Sequence, residues 1–235
     1  MRNWLIFDGK SSKDFGVYIS GLNTYNAPER DISTVSVPGR NGDLTIDNGR
    51  YKNVDIVYPA FIYADFDNNI EGLRNYLLSK KGFKRLEDTY HPDEFRLARY
   101  KGNFSADVVD WLEAGEFDLK FDCYPQRFLK SGEQDITFMA AGSLYNEYQE
   151  SKPLIRAYGT GSFTINGITL TITSADGYTD IDCDLQEAYK DTMATSCNAN
   201  IELTSGAFPV LSPGMNNITL TSITQLDIKP RWWIL

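Results

Sequence analysis

The sequence has few of the residues that build metal and redox sites. Among 235 residues it has one histidine, His91, and three cysteines, Cys123, Cys183 and Cys197. Because the cysteines are odd in number and far apart, they predict no disulfide framework and favour buried, reduced thiols. A lone imidazole cannot share a metal ion with a second one. We therefore expect no bound metal and no cofactor.

Long apolar runs and an excess of positive charge are also lacking. No apolar stretch reaches the roughly 18 residues that a membrane span needs, and the short apolar N-terminus does not have the pattern of a secretory signal. The formal net charge is −9, from 23 Lys and Arg against 32 Asp and Glu. We expect no membrane attachment and no sequence-specific nucleic-acid binding, which needs basic groups for the phosphates.

Enzyme motifs are missing as well. The sequence contains no G-x-S-x-G nucleophile motif and no phosphate-binding P-loop. His91 could act as a general base, but it stands in the segment His91-Pro92-Asp93-Glu94, which is typical of a polar turn. The sequence therefore indicates a protein that is not an enzyme.

Charge is divided unevenly along the chain and indicates two domains. Residues 1–133 hold 18 Lys and Arg against 21 Asp and Glu, a net charge of −3, whereas residues 134–235 hold 5 against 11, a net charge of −6. The second half is also rich in Ser and Thr. We expect a mainly β protein, with a β-rich first domain that carries one packed helix and an all-β sandwich from residue 134.

In the first half, the periodicity predicts a helix over residues 68–80 and a strand over residues 116–124. Asp67 or Asn68 could cap the helix. Its apolar face would be formed by Ile70, Leu73, Tyr76 and Leu77. In the strand, apolar and charged residues alternate with period two, which is typical of a half-buried strand.

A projecting β-hairpin is predicted where two turn signals follow each other closely. Pro38-Gly39 favours a type II turn, and Asn41-Gly42 favours a type I′ turn. The hairpin would place Arg40 at or near its tip, and a further turn signal follows at Asn48-Gly49. Because extended arms of this kind serve assembly more often than chemistry, we expect an oligomer interface at Val37, Pro38, Gly39, Arg40, Asn41 and Gly42.

The second half repeats strand and turn signals at short intervals. Asn166-Gly167, flanked by alternating apolar residues, is the strongest hairpin signal in the chain. Residues 180–185 alternate too, which places Asp180, Asp182 and Asp184 on one face. Three carboxylates could bind calcium, but a solvated or edge face that opposes aggregation is favoured.

The C-terminal segment Arg231-Trp232-Trp233 allows two interpretations. Trp232 and Trp233 could form a carbohydrate-binding or cation–π site, since tryptophan is the best ring for either contact. Alternatively, both side chains cover the core of the sandwich and Arg231 lies on the surface. We favour the second interpretation.

Several segments, in order along nearly the whole chain, resemble phage distal tail proteins, the hub proteins of long non-contractile tails. They are Phe15-Gly16-Val17, the hairpin residues from Val37 to Gly42, Asn48-Gly49-Arg50-Tyr51, Leu77-Leu78-Ser79, Arg85-Leu86-Glu87-Asp88, residues 90–96, residues 121–128, Pro209, Leu211-Ser212-Pro213-Gly214 and Pro230-Arg231-Trp232-Trp233. Each segment alone is weak, but their common order is fairly specific.

The resemblance implies a structural role at the tail tip or baseplate of a virion. It implies that the first domain assembles into a hexameric ring around the DNA channel and that the second domain is galectin-like. The partners would be the tail tube protein and tail-associated or receptor-binding proteins. The main alternative is a carbohydrate-binding module of the host-recognition apparatus.

Overall fold

The computed structural model describes residues 2–21, 26–63, 65–102, 107–109 and 114–235. The chain forms two compact units, Met1–Arg127 with Leu235, and Phe128–Ile234. The expected division lay at residue 133, whereas the first unit ends at Arg127. The described residues form many strands and a single α-helix. The chain is therefore mainly β with one packed helix.

The first unit combines an antiparallel sheet, a separate hairpin and the helix α1 (Phe66–Ser79). Its strands are β1 (Leu5–Phe7), β2 (Lys10–Ser11), β3 (Tyr18–Ile19), β4 (Arg30–Val35), β5 (Leu44–Tyr51), β6 (Val54–Ile62), β7 (Lys84–Asp88), β8 (Glu94–Tyr100), β9 (Asp107–Val109) and β10 (Ala114–Cys123). The strand order in the sheet is β2-β1-β7-β8-β10-β6-β3, with β9 beside β10, while β4 pairs with β5. A further strand, β11 (Arg127–Leu129), spans the division between the units.

Alternation of apolar and polar residues decides which face of the long central strands is buried. In β6 the even-numbered residues from Val54 to Ile62 are buried, and the odd-numbered ones are exposed or half-buried. In β10 the buried apolar side chains are Phe117, Leu119, Phe121 and Cys123, whereas Glu116, Asp118 and Lys120 are exposed. The alternation predicted for residues 116–124 is thus confirmed for the apolar residues, but Asp122, on the opposite face, is also buried, beside Arg99. Both strands contribute one face to the core of the first unit.

The helix packs its predicted apolar face onto this core. Leu73 and Leu77 are buried, and Ile70 and Tyr76 pack against the same cluster. The helix begins at Phe66 rather than at residue 68, and the residue before it, Asp65, makes no side-chain capping bond. The predicted cap at residue 67 or 68 is therefore wrong, because both residues already lie inside the first turn.

The second unit consists of two antiparallel sheets. Its strands are β12 (Ile136–Phe138), β13 (Gly142–Asn146), β14 (Leu154–Tyr158), β15 (Gly161–Ile165), β16 (Ile168–Ile172), β17 (Tyr178–Asp182), β18 (Glu187–Lys190), β19 (Thr192–Ser196), β20 (Ile201–Leu203), β21 (Gly214–Thr221), β22 (Gln225–Lys229) and β23 (Trp233–Ile234). One sheet has the order β12-β22-β14-β17-β18-β19 and the other β13-β21-β15-β16-β20, while the short strand β23 belongs to neither and pairs with β11. Residues from both sheets form a single apolar core.

The predicted turn at Asn166-Gly167 closes the hairpin β15–β16. Ile165 pairs with Ile168 across it. Both central residues have positive φ, 52° at Asn166 and 84° at Gly167. Two left-handed residues in a two-residue loop define a type I′ turn, so this prediction is confirmed.

Candidate assembly interface

Strands β4 and β5 form a hairpin, here called the arm, whose residues 30–51 pair only with each other among the described residues. In its outer half Val35 pairs with Leu44 and Ser33 with Ile46. Paired residues of antiparallel strands share one face, and residues two apart along a strand share it too. These four residues therefore lie on one face of the arm.

The tip of the arm contains the predicted type II turn. The backbone N–H of Arg40 donates to the carbonyl oxygen of Val37 at 3.2 Å, and Gly39 has a φ of 82°. Gly42 has a φ of 81°, but Asn41 does not have a positive φ. The predicted type I′ turn at Asn41-Gly42 is therefore wrong. The strands end at Val35 and Leu44, too far apart for a two-residue connection.

Asn48-Gly49 does not form a turn either, but lies inside β5. Gly49 has a φ of 71°, and the pairing shifts nearby, so that three residues of β5 lie opposite the single residue Asp31. Such a β-bulge bends the strand and increases its twist. The glycine thus shapes the base of the arm rather than ending the strand.

Exposed ion pairs connect the two strands near the base of the arm. Arg50 donates to Asp31 at 2.7 Å, and Arg30 donates to Asp47 at 2.9 Å. The hydrogen bond from Arg50 lowers the pKa of the Asp31 carboxyl below its ordinary value. Surface pairs of this kind contribute little to stability, so they orient the arm more than they hold it together.

The arm presents apolar side chains that the described chain does not cover. Val35 is 46% exposed, Leu44 42% and Ile46 47%, all on the same face. Every residue from 32 to 50 is exposed, and no residue of the arm belongs to either described core. A contiguous exposed apolar face on a folded chain is typical of an interaction surface.

The two C-terminal tryptophans do not lie together on an open face. Trp232 is 7% exposed and belongs to the core of the second unit, where its ring centroid lies 6.0 Å from that of Tyr148. Trp233 is half-buried, and its Nε1 donates to the carbonyl oxygen of Glu150 at 2.9 Å. Because Trp232 is buried, it cannot stack on a sugar.

Two of the three acidic residues near position 180 are buried rather than solvated. Strand β17 contains Asp180 and ends at Asp182. Each of these two carboxylates accepts two hydrogen bonds from an arginine of its own. Arg156 donates to Asp180 at 2.6 and 2.9 Å, and Arg231 donates to Asp182 at 2.8 and 2.7 Å. The expected solvated face is therefore wrong for these two residues. Arg231, expected on the surface, is partly exposed, with its guanidinium bound to Asp182. Only Asp184 is exposed, beside Lys152 at 3.2 Å.

Sequence reasoning missed these pairs, although a signal was present. Two carboxylates on an alternating strand need partners if that face is covered. Residues 134–235 contain only two arginines, Arg156 and Arg231, and each of them binds one of the buried carboxylates. Both pairs satisfy buried charge and leave no open carboxylate cluster at this position.

The remaining candidate groups have structural surroundings. Burial raises the pKa of Cys123 and of Cys183 to about 12, so both thiols are protonated near neutral pH. His91 Nδ1 lies 3.3 Å from Asp88 Oδ1, in the segment after β7. Among the described residues, no group of three or more His, Cys, Asp or Glu side chains could hold a metal ion. Within the described part of the chain, no helix is long and apolar enough to cross a bilayer.

Comparisons with known proteins identify the fold. No protein-family model and no curated protein sequence matches the chain. Among solved structures it is similar to SPP1 Dit (gp 19.1), a hub of the adsorption apparatus in phages that infect Gram-positive bacteria. The TM-score is 0.71 at 15% identity, over 96% of this chain and 97% of that chain. It is also similar to a chain of the phage p2 baseplate in its activated conformation with Sr, with a TM-score of 0.52 at 10% identity and 97% coverage of both chains. The chain therefore has a Dit-like phage hub fold along nearly its whole length.

Proposed function

We propose that this chain is a distal tail protein, a structural component of the virion. It would join the tail tube to the tail tip or baseplate and surround the DNA channel. The observation that carries this proposal is the hub fold, which extends over 96% of the chain and so includes both units. The protein would be made in the cytoplasm of the bacterial host and then be incorporated at the tail tip.

We propose further that the first unit assembles into a hexameric ring by exchange of the arm. Each arm would lay its apolar face on a neighbouring copy, and the exposed residues Val35, Leu44 and Ile46 support this role. The arm of one copy contacts a different surface on the next copy, so the contact is heterologous. Heterologous contacts close into a ring when the rotation between copies is a simple fraction of a turn.

The acidic character of the chain fits a channel that lets DNA pass. Each copy has a formal net charge of −9, so six copies would carry −54. Acidic surface near the channel repels phosphates and opposes adhesion of the passing duplex. Light-scattering mass, together with immunogold labelling of tail tips, would test both the ring and its place in the virion.

The decisive variant for assembly deletes residues 38–42. The deletion removes the tip of the arm and leaves both described cores intact, so we expect folded monomers by size-exclusion chromatography with light scattering. A finer variant combines Val35→Ser, Leu44→Ser and Ile46→Ser. Its matched control combines Met139→Ser, Leu185→Ser and Met193→Ser, at side chains that are 74%, 49% and 55% exposed in the second unit. Hexamers that persist in the arm variants would refute arm exchange.

For the second unit we propose a galectin-like sandwich that contacts tail-associated or receptor-binding proteins. Its two sheets of six and five strands support the sandwich. Carbohydrate recognition by Trp232 and Trp233 has less support, because Trp232 is buried. Glycan-array binding that is lost in Trp233→Ala would restore that alternative.

We also propose that the protein acts without catalysis. The similar solved structures are a phage hub and a phage baseplate, and both buried cysteines have raised pKa values that make them poor nucleophiles. A zymogram on host cell walls is the direct test, and a cleared band at the position of this chain would contradict the proposal.

A further inference from the structure

We propose that the outer face of β6 and β3 is the surface on which a second copy of this chain lays its arm. This inference rests on the proposed ring and names the other half of its contact. The surface, here called the acceptor strip, consists of Tyr18, Val57, Pro59, Phe61 and Tyr63. In a single chain the arm is exposed, and so are Val57, Pro59 and Tyr63 of the strip, while Tyr18 and Phe61 are half-buried and stack on each other. The arm therefore does not cover the exposed part of the strip of its own copy.

The acceptor strip follows from the alternation in β6. Because the even-numbered residues face the core, the odd-numbered ones line the opposite face, where Val57 is 43% exposed and Tyr63 is 38% exposed. Strand β3 adds Tyr18 to this face, directly opposite Phe61. From Val57 to Tyr63 the strip runs for about 20 Å along the strand, which is comparable to the length of the arm.

Three aromatic rings stiffen one end of the strip. The ring centroid of Tyr18 lies 6.0 Å from that of Phe61 and 5.5 Å from that of Tyr63, with both pairs stacked. The guanidinium of Arg2 lies 4.3 Å from the ring centroid of Tyr63. Aromatic rings fixed in this way offer a large contact area at low entropic cost, so they favour association with an apolar face such as that of the arm.

Beside Val57 and Pro59 lies a cleft of about 390 Å³ that reaches around the strand. It is also lined by Ser20, Gly21 and Asp118 and, from the core side of β6, by Ile56, Tyr58, Asp88, Tyr90, His91 and Arg96. The cleft gives a flat sheet face the concave element that well-packed interfaces use to hold a projecting side chain. The strip and the cleft are adjacent, because Val57 and Pro59 belong to both.

Charges next to the strip are complementary to those at the tip of the arm. In β10, Glu116 lies opposite Phe61, Asp118 opposite Pro59 and Lys120 opposite Val57, all exposed. None of these three charges has an ion-pair partner among the described residues, whereas Asp122 on the same strand is paired with Arg99 at 2.7 Å.

The arm has two charges of its own that are unpaired within the described chain, Arg40 and Asp43 at its tip. The remaining pairs, Arg30–Asp47 and Arg50–Asp31, satisfy the charges at its base. Arg40 is suited to Asp118 and Glu116, and Asp43 is suited to Lys120. Opposite charges that meet in this way set the register of an interface more than its affinity.

The choice of a second copy over another tail protein follows from the presence of both surfaces, with complementary charges, on the same chain. Each chain has one arm and one acceptor strip, and the two are different surfaces. An interface between unlike surfaces of identical chains is heterologous, and it closes into a ring when the rotation between copies allows it. Every copy therefore carries the second surface that the proposed ring requires, since the strip of one copy receives the arm of the next.

Cysteine cross-linking tests the inference directly. In a Cys197→Ser background, which removes the half-buried native thiol, Leu44→Cys and Val57→Cys are combined in one chain. Mild oxidation should produce a ladder of covalent oligomers under denaturing conditions. The control pair, Leu44→Cys with Met139→Cys, places the second thiol at a side chain that is 74% exposed in the second unit and should give no ladder.

A charge reversal provides an independent readout. Asp118→Lys should raise the concentration at which oligomers form by about tenfold or more, as like charges at an interface do. Adding Arg40→Glu to the same chain should restore assembly. The acceptor strip, but not the ring, would be overturned if the wild type forms rings while the chain with Leu44→Cys and Val57→Cys does not cross-link and Asp118→Lys does not weaken assembly. Wild-type protein that stays monomeric in solution and in virions would overturn the proposed function itself.

Discussion

The arm and the hairpin β15–β16 come from similar sequence signals and end in opposite surroundings. Both have a glycine turn between strands that carry apolar residues at alternate positions. In β15–β16 those residues are fully buried, with Phe163 and Ile172 at 1% exposure and Ile165 at 0%. In the arm the corresponding residues are more than two-fifths exposed.

The difference shows that alternation predicts a strand but not what covers its apolar face. The hairpin β15–β16 pairs with β21 and β20 and belongs to a sheet that covers the core of the second unit. The arm is a two-stranded sheet of its own, and such a hairpin is only marginally stable in water. A surface supplied by another molecule would therefore complete the arm, much as the neighbouring strands complete β15–β16.

The largest expected effect comes from the core of the covered hairpin. Phe163→Ala should lower the free energy of unfolding by about 3–5 kcal/mol, because it removes a buried ring and leaves a cavity. Val35→Ala in the arm should change it by less than about 0.5 kcal/mol in the monomer. Urea unfolding of both variants measures the contrast, and equal losses would show that the arm is covered within its own chain.

Next in size is the loss of a buried ion pair. Asp182 is 3% exposed and binds Arg231 through two hydrogen bonds. Removing one partner leaves the other charge buried without a partner. This lowers the free energy of unfolding by about 3–5 kcal/mol for a fully buried pair, and by somewhat less here because Arg231 is partly exposed. Asp182→Ala should therefore lower stability far more than Asp31→Ala at the base of the arm, where the partner Arg50 is 73% exposed.

The same carboxylate predicts a response to acid. Burial raises the pKa of Asp182, but hydrogen bonds from Arg231 and from the backbone N–H groups of Leu185 and Asp184 outweigh it, so the pKa is lowered. A lowered folded pKa contributes stability that is fully present above the unfolded value of about 3.9 and is lost as the pH falls through the folded pKa. Asp182→Asn should therefore weaken the pH dependence of unfolding below about pH 4.

The helix and several strands could be predicted from local patterns, whether or not the chain itself covers them. Local patterns predicted α1 and its apolar face, the alternation of apolar residues in β10 and the hairpin at Asn166-Gly167. These features depend on residues close in sequence. The same local reasoning placed a hairpin at the arm and a type II turn at Pro38-Gly39, which the structure confirms.

Predictions that depended on distant residues were less successful. Asp180 and Asp182 are buried only because Arg156 and Arg231, which lie 24 and 49 positions away, reach their carboxylates. Gly49 forms a bulge because β4 lies opposite it, and an isolated Asn-Gly signal cannot show that. The acceptor strip was missed for a similar reason, since the exposed face of β6 is defined by which side of the sheet faces the core.

A smaller difference in stability between the two hairpins is expected from alanine substitutions at two glycines with the same backbone conformation. Gly39 and Gly167 have φ values of 82° and 84°, and an added Cβ would meet nothing within 4 Å at either position. Alanine at each should cost about 1 kcal/mol of backbone strain. In Gly167→Ala the cost should appear in the unfolding of the second unit, whereas in Gly39→Ala it should appear as weaker oligomerisation at unchanged monomer stability.

The smallest expected effect concerns the arm variant that combines Val35→Ser, Leu44→Ser and Ile46→Ser. In monomer at low concentration its free energy of unfolding should lie within about 0.5 kcal/mol of the wild type, because substitutions at exposed sites rarely change stability more. At concentrations where the wild type forms rings, the wild type should gain stability through mass action and the variant should not. Thermal unfolding over a range of protein concentrations measures both the stability of the monomer and the stability gained by assembly. A variant that is less stable even as a monomer would mean that the apolar face of the arm is already buried within a single chain, and the contrast with β15–β16 would disappear.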